Sequence, residues 1–193
     1  MGCAISGPGQ YPASGREDVV AVASLSLSDR QTQLVKETWR LVQEDIAKVG
    51  IIMFVRLFET HPECKDAFFL FRDIDDLQQL RKSKGLRAHG LRVMSFIEKT
   101  VARLDQEDRL QQLALELGKS HFRYSAAPKY YPYVGNEFIC AVQPILKEKW
   151  TAEVEEAWKG LFHYLTSVMK KGYQDEERGS CPREKPKHGP NSV

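Results

Sequence analysis

Apolar residues recur every three to four positions along most of this chain, which is the period of an α-helix that packs on a core. The first such stripe consists of Leu34, Val35, Thr38, Trp39 and Val42. Ser28 and Gln31, just before it, have the spacing of a capping box, which marks a helix start. The last stripe follows Thr151, a second N-cap residue, and consists of Val154, Trp158, Leu161, Leu165 and Val168. The spacing predicts an all-α fold.

A nearly continuous apolar helix over residues 46–61 is predicted to lie at the centre of the fold. Gly50 lies in its interior and Gly90 lies in a later helical segment, and each glycine destabilises a helix by about 1 kcal/mol relative to alanine. One explanation serves both positions. We expect the two helices to cross so closely that neither has room for a Cβ at the contact.

The segments between these helices contain clear breaks. Pro62 suits the first turn of a short helix, which leads into the aromatic stretch 67–71. A further helix is predicted over residues 105–124. Pro128 and Pro132 flank the turn into the next helix, which Pro144 is expected to bend.

Two histidines lie on the apolar faces of separate predicted helices. His89 shares its face with Leu86, Gly90, Val93, Ile97 and Val101, whereas His121 follows Leu110, Leu113 and Leu117. Either histidine alone is more typical of a hydrogen-bonded core residue. Two inward imidazoles, 32 positions apart (121 − 89), are instead the ligand set of a haem iron. The carbonyl of Leu117 and the hydroxyl of Ser120 are placed to accept the second N–H of His121.

Composition narrows the choice of function. A chain of 193 residues is long enough for one domain with a full core, and its formal net charge of +2 argues against nucleic-acid binding. No apolar run approaches the roughly 18 residues of a membrane span. The four cysteines are too scattered for a disulfide scaffold and lack metal-finger spacing.

The N-terminal sequence MGCAIS fits the pattern for N-myristoylation at Gly2, and Cys3 is available for palmitoylation. A chance match is the alternative. One myristoyl chain binds a membrane only marginally, so stable attachment needs a second signal. Residues 1–24 carry only Arg16 against Glu17 and Asp18, which leaves Cys3 as the candidate. We therefore expect the protein at the cytoplasmic face of the cell membrane, bound to its lipids.

The predicted organisation has three parts. Residues 1–26 form a flexible acylated extension, residues 27–173 form the helical domain, and residues 174–193 have the mixed charge, Pro and Gly content of a disordered tail.

The helical domain resembles a globin. The residues that carry this resemblance are Trp39, Leu57 with Phe58, Pro62, Phe68, His89 with Val93, and the segment LGKSH that ends at His121. The chain is most similar to the neuroglobin-like branch, and the acylation motif narrows the resemblance to globin X, a membrane-attached globin. This resemblance implies a helical sandwich around haem b.

The resemblance also implies a role for each site residue. His121 matches the proximal iron ligand and His89 the distal histidine. Val93 matches the residue above the porphyrin, and Phe68 the phenylalanine that wedges it. Arg92 could reach a haem propionate, although a solvated surface arginine is nearly as good an interpretation.

The function implied is that of a six-coordinate haem protein in which His89 competes with O₂, NO or CO for the iron. Such a protein suits redox chemistry at the membrane, namely electron transfer with an unidentified partner protein, nitrite reduction to NO at the His89 side, or protection of lipids from oxidants. A haem-based sensor that signals to a membrane partner is the alternative. A globin-like scaffold without haem would leave both histidines unexplained.

The globin-like arrangement also suggests that Cys64 and Cys140 lie on neighbouring helices and form a disulfide that tunes the haem. The reducing cytosol argues for two free thiols instead. Cys181, in the predicted tail, has no assigned role.

Overall fold

The computed structural model describes residues 24–68 and 72–180, and every regular element in these ranges is helical. The α-helices are α1 (Asp29–Val42), α2 (Ile46–Thr60), α3 (Leu77–Lys82), α4 (Lys84–Val101), α5 (Glu107–Arg123), α6 (Tyr131–Leu146) and α7 (Ala152–Ser180). Short 3₁₀ turns cover Gln43–Asp45, Pro62–Ala67, Pro128–Tyr130 and Lys147–Lys149. The predicted all-α class is confirmed.

The ends of α1 and α7 form as the sequence predicts. The hydroxyl of Ser28 accepts the N–H of Gln31 at 3.2 Å, and the Gln31 side chain accepts the N–H of Ser28 at 3.0 Å. Thr151 caps α7 by accepting the N–H of Val154. Every residue of both predicted stripes is buried. The two helices are joined in the core by the indole N–H of Trp158, which donates to the Thr38 hydroxyl at 3.0 Å.

The predicted glycine contact joins α2 and α4. A Cβ built on Gly50 would lie 3.0 Å from the Cα and carbonyl carbon of Gly90, closer than side chains normally approach backbone. The reverse substitution would bring a Cβ on Gly90 to 3.1 Å from the Gly50 carbonyl carbon. The backbones are therefore in direct contact, and this contact fixes the helix that carries His89.

A second glycine contact, between α5 and α7, is tighter, and our sequence interpretation missed it. A Cβ on Gly118 would lie 2.8 Å from the carbonyl carbon of Met169 and would overlap its oxygen. A Cβ on Gly172 would overlap the carbonyl oxygen of Leu115 in the same way. Both glycines lie inside helices, so the reasoning applied to Gly50 could have found them. This contact fixes the helix that carries His121.

Both predicted domain boundaries need adjustment. At the N-terminal side, Leu25 packs on the core and its N–H donates to the Glu107 carboxylate at 2.8 Å. At the other end, the predicted tail from residue 174 is wrong for residues 174–180, because α7 continues to Ser180.

Ion pairs explain the longer helix. Asp175 accepts from Lys171 at 2.7 Å and from Arg178 at 2.6 Å, which are the one-turn pairings that stabilise exposed helices. Arg123 of α5 reaches Glu176 at 2.9 Å and ties this extension to the proximal helix. Residues 181–193, including Cys181, lie outside the described ranges. None of the described helices meets the length and apolarity that a membrane crossing requires.

Gly118→Ala should lower the free energy of unfolding by about 1–3 kcal/mol, the usual cost of overpacking, despite the better helix propensity of alanine. The added methyl group overlaps backbone, which cannot rotate away. Urea unfolding of the haem-loaded protein measures the change.

Gly179→Ala is the matched control, because a Cβ there meets nothing within 4 Å. It should be neutral or stabilise by up to about 1 kcal/mol. Equal stability of the two variants would show that the α5–α7 backbone contact is not tight.

Candidate functional site

His121 lies in the last turn of α5 with its ring held in one orientation. Its Nδ1 lies 2.8 Å from the carbonyl oxygen of Leu117, and because a carbonyl only accepts, Nδ1 carries the proton and donates. The Nε2 atom then keeps its lone pair. The ring of Tyr131 meets the imidazole edge-on at 5.3 Å between centroids.

His89 lies opposite, inside a cluster of three phenylalanines. Its ring centroid is 4.9 Å from that of Phe54 and 5.0 Å from that of Phe68, both in edge-on geometry. Phe58 completes the cluster at 5.2 Å from Phe68. His89 makes no hydrogen bond to any residue in the described ranges, so its ring nitrogens are available to a ligand.

Both imidazoles are held in the neutral form. Burial lowers the pKa of His121, partly offset by the bond to the Leu117 carbonyl. Burial also lowers the pKa of His89 to about 4, with further contributions from the charge of Arg92 and from His121 itself. At neutral pH each ring therefore offers a lone pair, which is the form that binds metals.

This arrangement fits haem. No group of three or more His, Cys, Asp or Glu residues in the described ranges could hold a bare metal ion. Two neutral imidazoles on separate helices are the residues that would hold a haem iron. His121, with its second nitrogen fixed by a backbone carbonyl, has the support typical of a metal-bound histidine. An aromatic and aliphatic lining around His89 suits the apolar macrocycle.

Most of the other predicted site residues surround this pair. Phe68 contacts His89 as described, and Val93 is partly buried against the core. Arg92 is exposed at the edge and influences the pKa of His89. The prediction for Ser120 is wrong, because its hydroxyl donates to the Glu116 carbonyl at 3.0 Å. Sequence reasoning missed Phe54, Phe58 and Tyr131, which look like ordinary core residues in an apolar helix.

The predicted Cys64–Cys140 disulfide is absent, since both cysteines are free thiols. Cys64 is buried in the core, where desolvation raises its pKa to about 11. Cys140 is exposed on α6 beside Arg56. The sequence places them on neighbouring elements but does not show that one faces inward and the other outward.

The two predicted lipidation residues, Gly2 and Cys3, lie outside the described ranges, as does most of the predicted linker. Their assignment therefore rests on the sequence motif alone.

Comparison with known proteins supports the haem interpretation. The family model described as Globin matches residues 52–169. The chain is 30% identical over 153 residues to Cytoglobin-1 of Oryzias latipes, which covers 79% of this chain and 86% of that protein. It is 26% identical over 147 residues to Neuroglobin of Tetraodon nigroviridis, covering 76% and 92%. The predicted resemblance to neuroglobin-like proteins is thereby confirmed.

Two further matches bear on chemistry and fold. An anaerobic nitrite reductase of Brassica napus is 26% identical over 159 residues, covering 81% of this chain and 98% of that protein. A solved structure of a hexacoordinated heme protein from an anhydrobiotic tardigrade superposes with a TM-score of 0.73 at 21% identity. That match covers 78% of this chain and 97% of the other, and it confirms the predicted arrangement of helices.

Proposed function

This chain belongs to the globin family, and we propose that it is a membrane-attached, six-coordinate haem protein of the globin X kind. In this proposal His121 and His89 both hold the iron until a diatomic gas or nitrite takes the place of His89. The group is haem b, since the chain has no Cys-x-x-Cys-His segment for covalent attachment. The observation that carries the proposal is the pair of neutral imidazoles, one fixed by a carbonyl and the other without a hydrogen bond to any described residue.

The different support of the two rings assigns their roles. The Leu117 carbonyl and the edge of Tyr131 keep His121 in one orientation, so it is the permanent ligand. His89 is held only by edge-on contacts with Phe54 and Phe68. Its ring can leave without breaking a hydrogen bond to a described residue. The apparent affinity for an external ligand is then reduced to the fraction of molecules in which His89 has left.

The redox role rests on what the bound group would supply to nitrite. When bound in its ferrous form, haem would supply the one electron with which nitrite, taking up two protons, becomes NO and water. The chain contributes the rest: Phe54, Phe58 and Phe68 exclude water from the distal side, and His89 controls access to it. The match with a plant nitrite reductase supports this substrate. Electron exchange with a partner protein and protection of lipids from oxidants use the same redox centre.

The location rests on the N-terminal motif. Myristate on Gly2 and palmitate on Cys3 would supply the two anchors that stable membrane binding requires. Both modifications occur on the cytoplasmic side, so the domain is proposed to lie there.

A haem-based sensor is the second candidate, and the α2–α4 contact favours it. Gly90 is adjacent to His89 and touches the backbone of Gly50 with no free space. A shift of the α4 backbone on release of His89, beyond rotation of the ring alone, would therefore be passed to α2. Steady-state turnover with nitrite distinguishes the two functions, because a sensor needs no turnover.

His89→Leu should retain haem but change the ferrous visible spectrum from the sharp paired bands of two axial histidines to a five-coordinate spectrum. CO binding should become faster by about tenfold or more, because no internal ligand has to leave first. His121→Leu should instead lose haem on gel filtration. Absorption spectra and stopped-flow CO binding measure these effects.

His163→Leu is the control, since His163 is an exposed histidine of α7. It should leave spectrum and rate unchanged. If His89→Leu also keeps the paired ferrous bands, His89 is not an iron ligand.

The rate of nitrite reduction should change in the same direction as the rate of CO binding. The ferrous protein mixed with nitrite without oxygen should form NO, and His89→Leu should form it faster by about the factor seen for CO. An NO electrode measures the product directly. Absence of NO from both proteins would remove nitrite as a substrate and leave electron exchange, lipid protection and the sensor.

Gly2→Ala should move the protein from the membrane fraction to the cytosol, because it removes the myristate acceptor. Cys3→Ser should leave a weakly bound protein, since one chain remains. Cys181→Ser, which removes a cysteine far from the motif, is the control. Fractionation of cells after brief detergent-free lysis measures the distribution, and a Gly2→Ala protein that stays on membranes contradicts the lipid anchor.

A further inference from the structure

One face of the domain carries positive charge that no acidic residue in the described ranges neutralises. Residues 77–97 contain no Asp or Glu, yet they include five Lys or Arg residues. These residues are Arg81, Lys82, Lys84, Arg87 and Arg92, and all five are exposed. None of them forms an ion pair with a described residue, whereas cations elsewhere, such as Lys171 and Lys159, have carboxylate partners.

Helix geometry places four of these cations together. Arg81 and Lys82 end α3, and Ser83 caps α4 by accepting the N–H of Leu86, so the chain turns sharply between the two helices. Lys84 and Arg87 then lie on the outer side of the first turn of α4. We define Arg81, Lys82, Lys84 and Arg87 as the basic face. A net charge of only +2 for the whole chain makes this concentration one-sided.

Apolar side chains accompany the basic face. Leu91 lies one helical turn after Arg87 and is 39% exposed, one of two exposed large hydrophobic residues in the described ranges. Arg81 and Arg87 also line a groove of about 430 Å³ with Ile51 and Ile52 of α2.

Two charged residues of α2 and its preceding turn complete the groove. Lys48 adds a cation to the lining of the groove, and Asp45, the acidic residue of that lining, lies 3.9 Å from Lys48. The groove therefore has an apolar floor and a mainly basic rim.

We propose that the basic face, with Leu91, is a docking surface for the anionic cytoplasmic leaflet of a membrane. Lys and Arg side chains are attracted to phosphatidylserine and phosphoinositide headgroups, and an apolar side chain among them enters the acyl boundary. An acidic protein would satisfy the charges but would not specifically favour an exposed Leu91 beside them. The mixture of cations with an exposed leucine and partly buried isoleucines therefore points to lipid.

Docking in this way orients the haem site, and this step rests on the proposed haem function. His89 lies on the opposite side of α4 from Arg87 and Leu91, because two residues along a helix correspond to a rotation of about 200°. Helix α4 therefore lies between the bilayer and the His89 ring, and this distal helix is the part of the haem site nearest the membrane.

The basic face also changes the anchoring requirement. One acyl chain plus a basic patch holds a protein on a membrane as effectively as two chains. The N-terminal 24 residues have no such patch, but the folded domain supplies one. Myristate and the basic face would then supply two signals for membrane attachment. Reversible palmitoylation of Cys3 would adjust the strength of binding further.

Vesicle binding by haem-loaded, full-length protein produced without acyltransferases tests the surface apart from the lipid anchor. The probes are vesicles of phosphatidylcholine alone and with about 30% phosphatidylserine, an anionic lipid of the cytoplasmic leaflet. The protein should float with the second vesicles and not with the first. Salt at about 1 M, where the Debye length is about 3 Å, should release it.

The combined variant Arg81→Gln, Lys82→Gln, Lys84→Gln, Arg87→Gln should weaken partitioning by nearly three orders of magnitude, since each cation near such a surface contributes about a fivefold factor. The matched control neutralises four other exposed cations, with Arg109→Gln, Lys147→Gln, Lys149→Gln and Lys170→Gln. It has the same net charge and should bind within about threefold of the unaltered protein, because those residues lie away from the basic face. Unchanged absorption spectra confirm that both variants keep their fold and haem.

Leu91→Ser separates a lipid surface from an acidic partner. It should weaken vesicle binding by about three- to tenfold, also at higher salt, but should not affect binding to polyglutamate. Equal binding of the two four-residue variants to vesicles overturns the proposal. So does binding of the unaltered protein to polyglutamate without binding to anionic vesicles, which assigns the face to an acidic protein. The anchor proposal is judged separately by Gly2→Ala in cells.

Discussion

Direct backbone contact between helices is the constraint on which the rest of the structure depends. Gly50 with Gly90 places α4, and Gly118 with Gly172 places α5, so each histidine lies within three residues of a point where two backbones touch. Where side chains meet, a change of rotamer can relieve a close contact. Where two backbones meet, the contact can be relieved only by moving a whole helix. The placement of each histidine-bearing helix against its neighbour therefore depends on glycines, which have no side chain.

The apolar surroundings explain the chemistry of the pair. Burial keeps both rings neutral, and the Leu117 carbonyl decides which nitrogen of His121 is free. The ring of His89 makes edge-on contacts with Phe54 and Phe68 and no hydrogen bond to a described residue, so no polar group in the described part of the chain competes for its nitrogens. An imidazole that is kept neutral and has no hydrogen bond to a described residue is better suited to bind a metal than to support the fold. The two histidines together therefore say more about function than either residue alone.

Much of this could be predicted from sequence because local rules determine it. The stripes of α1 and α7, the capping box at Ser28 and the bond from His121 to Leu117 all involve residues within one or two turns. Features set between distant elements were harder. Arg123 of α5 pairs with Glu176 of α7, and Cys64 and Cys140 face different environments. Ser120 is a local exception, because its hydroxyl donates to the Glu116 carbonyl of the same helix, whereas the ring N–H of His121 goes to Leu117. A glycine inside a helix indicated the close contact at Gly50, and the same argument holds for Gly118, whose contact with Met169 could therefore have been predicted.

The α5–α7 contact has a consequence for the timescales of motion. Helix α7 covers α5 along an extended interface, and the pair at Arg123 and Glu176 closes its end. Opening the proximal side thus requires separating two long helices, which belongs among the slow, near-global fluctuations of a protein. The distal side can open by rotation of one ring against phenylalanine edges, a much faster and more local event. The two sides of the pocket therefore open on different timescales, so external ligands can exchange many times while a single haem stays bound.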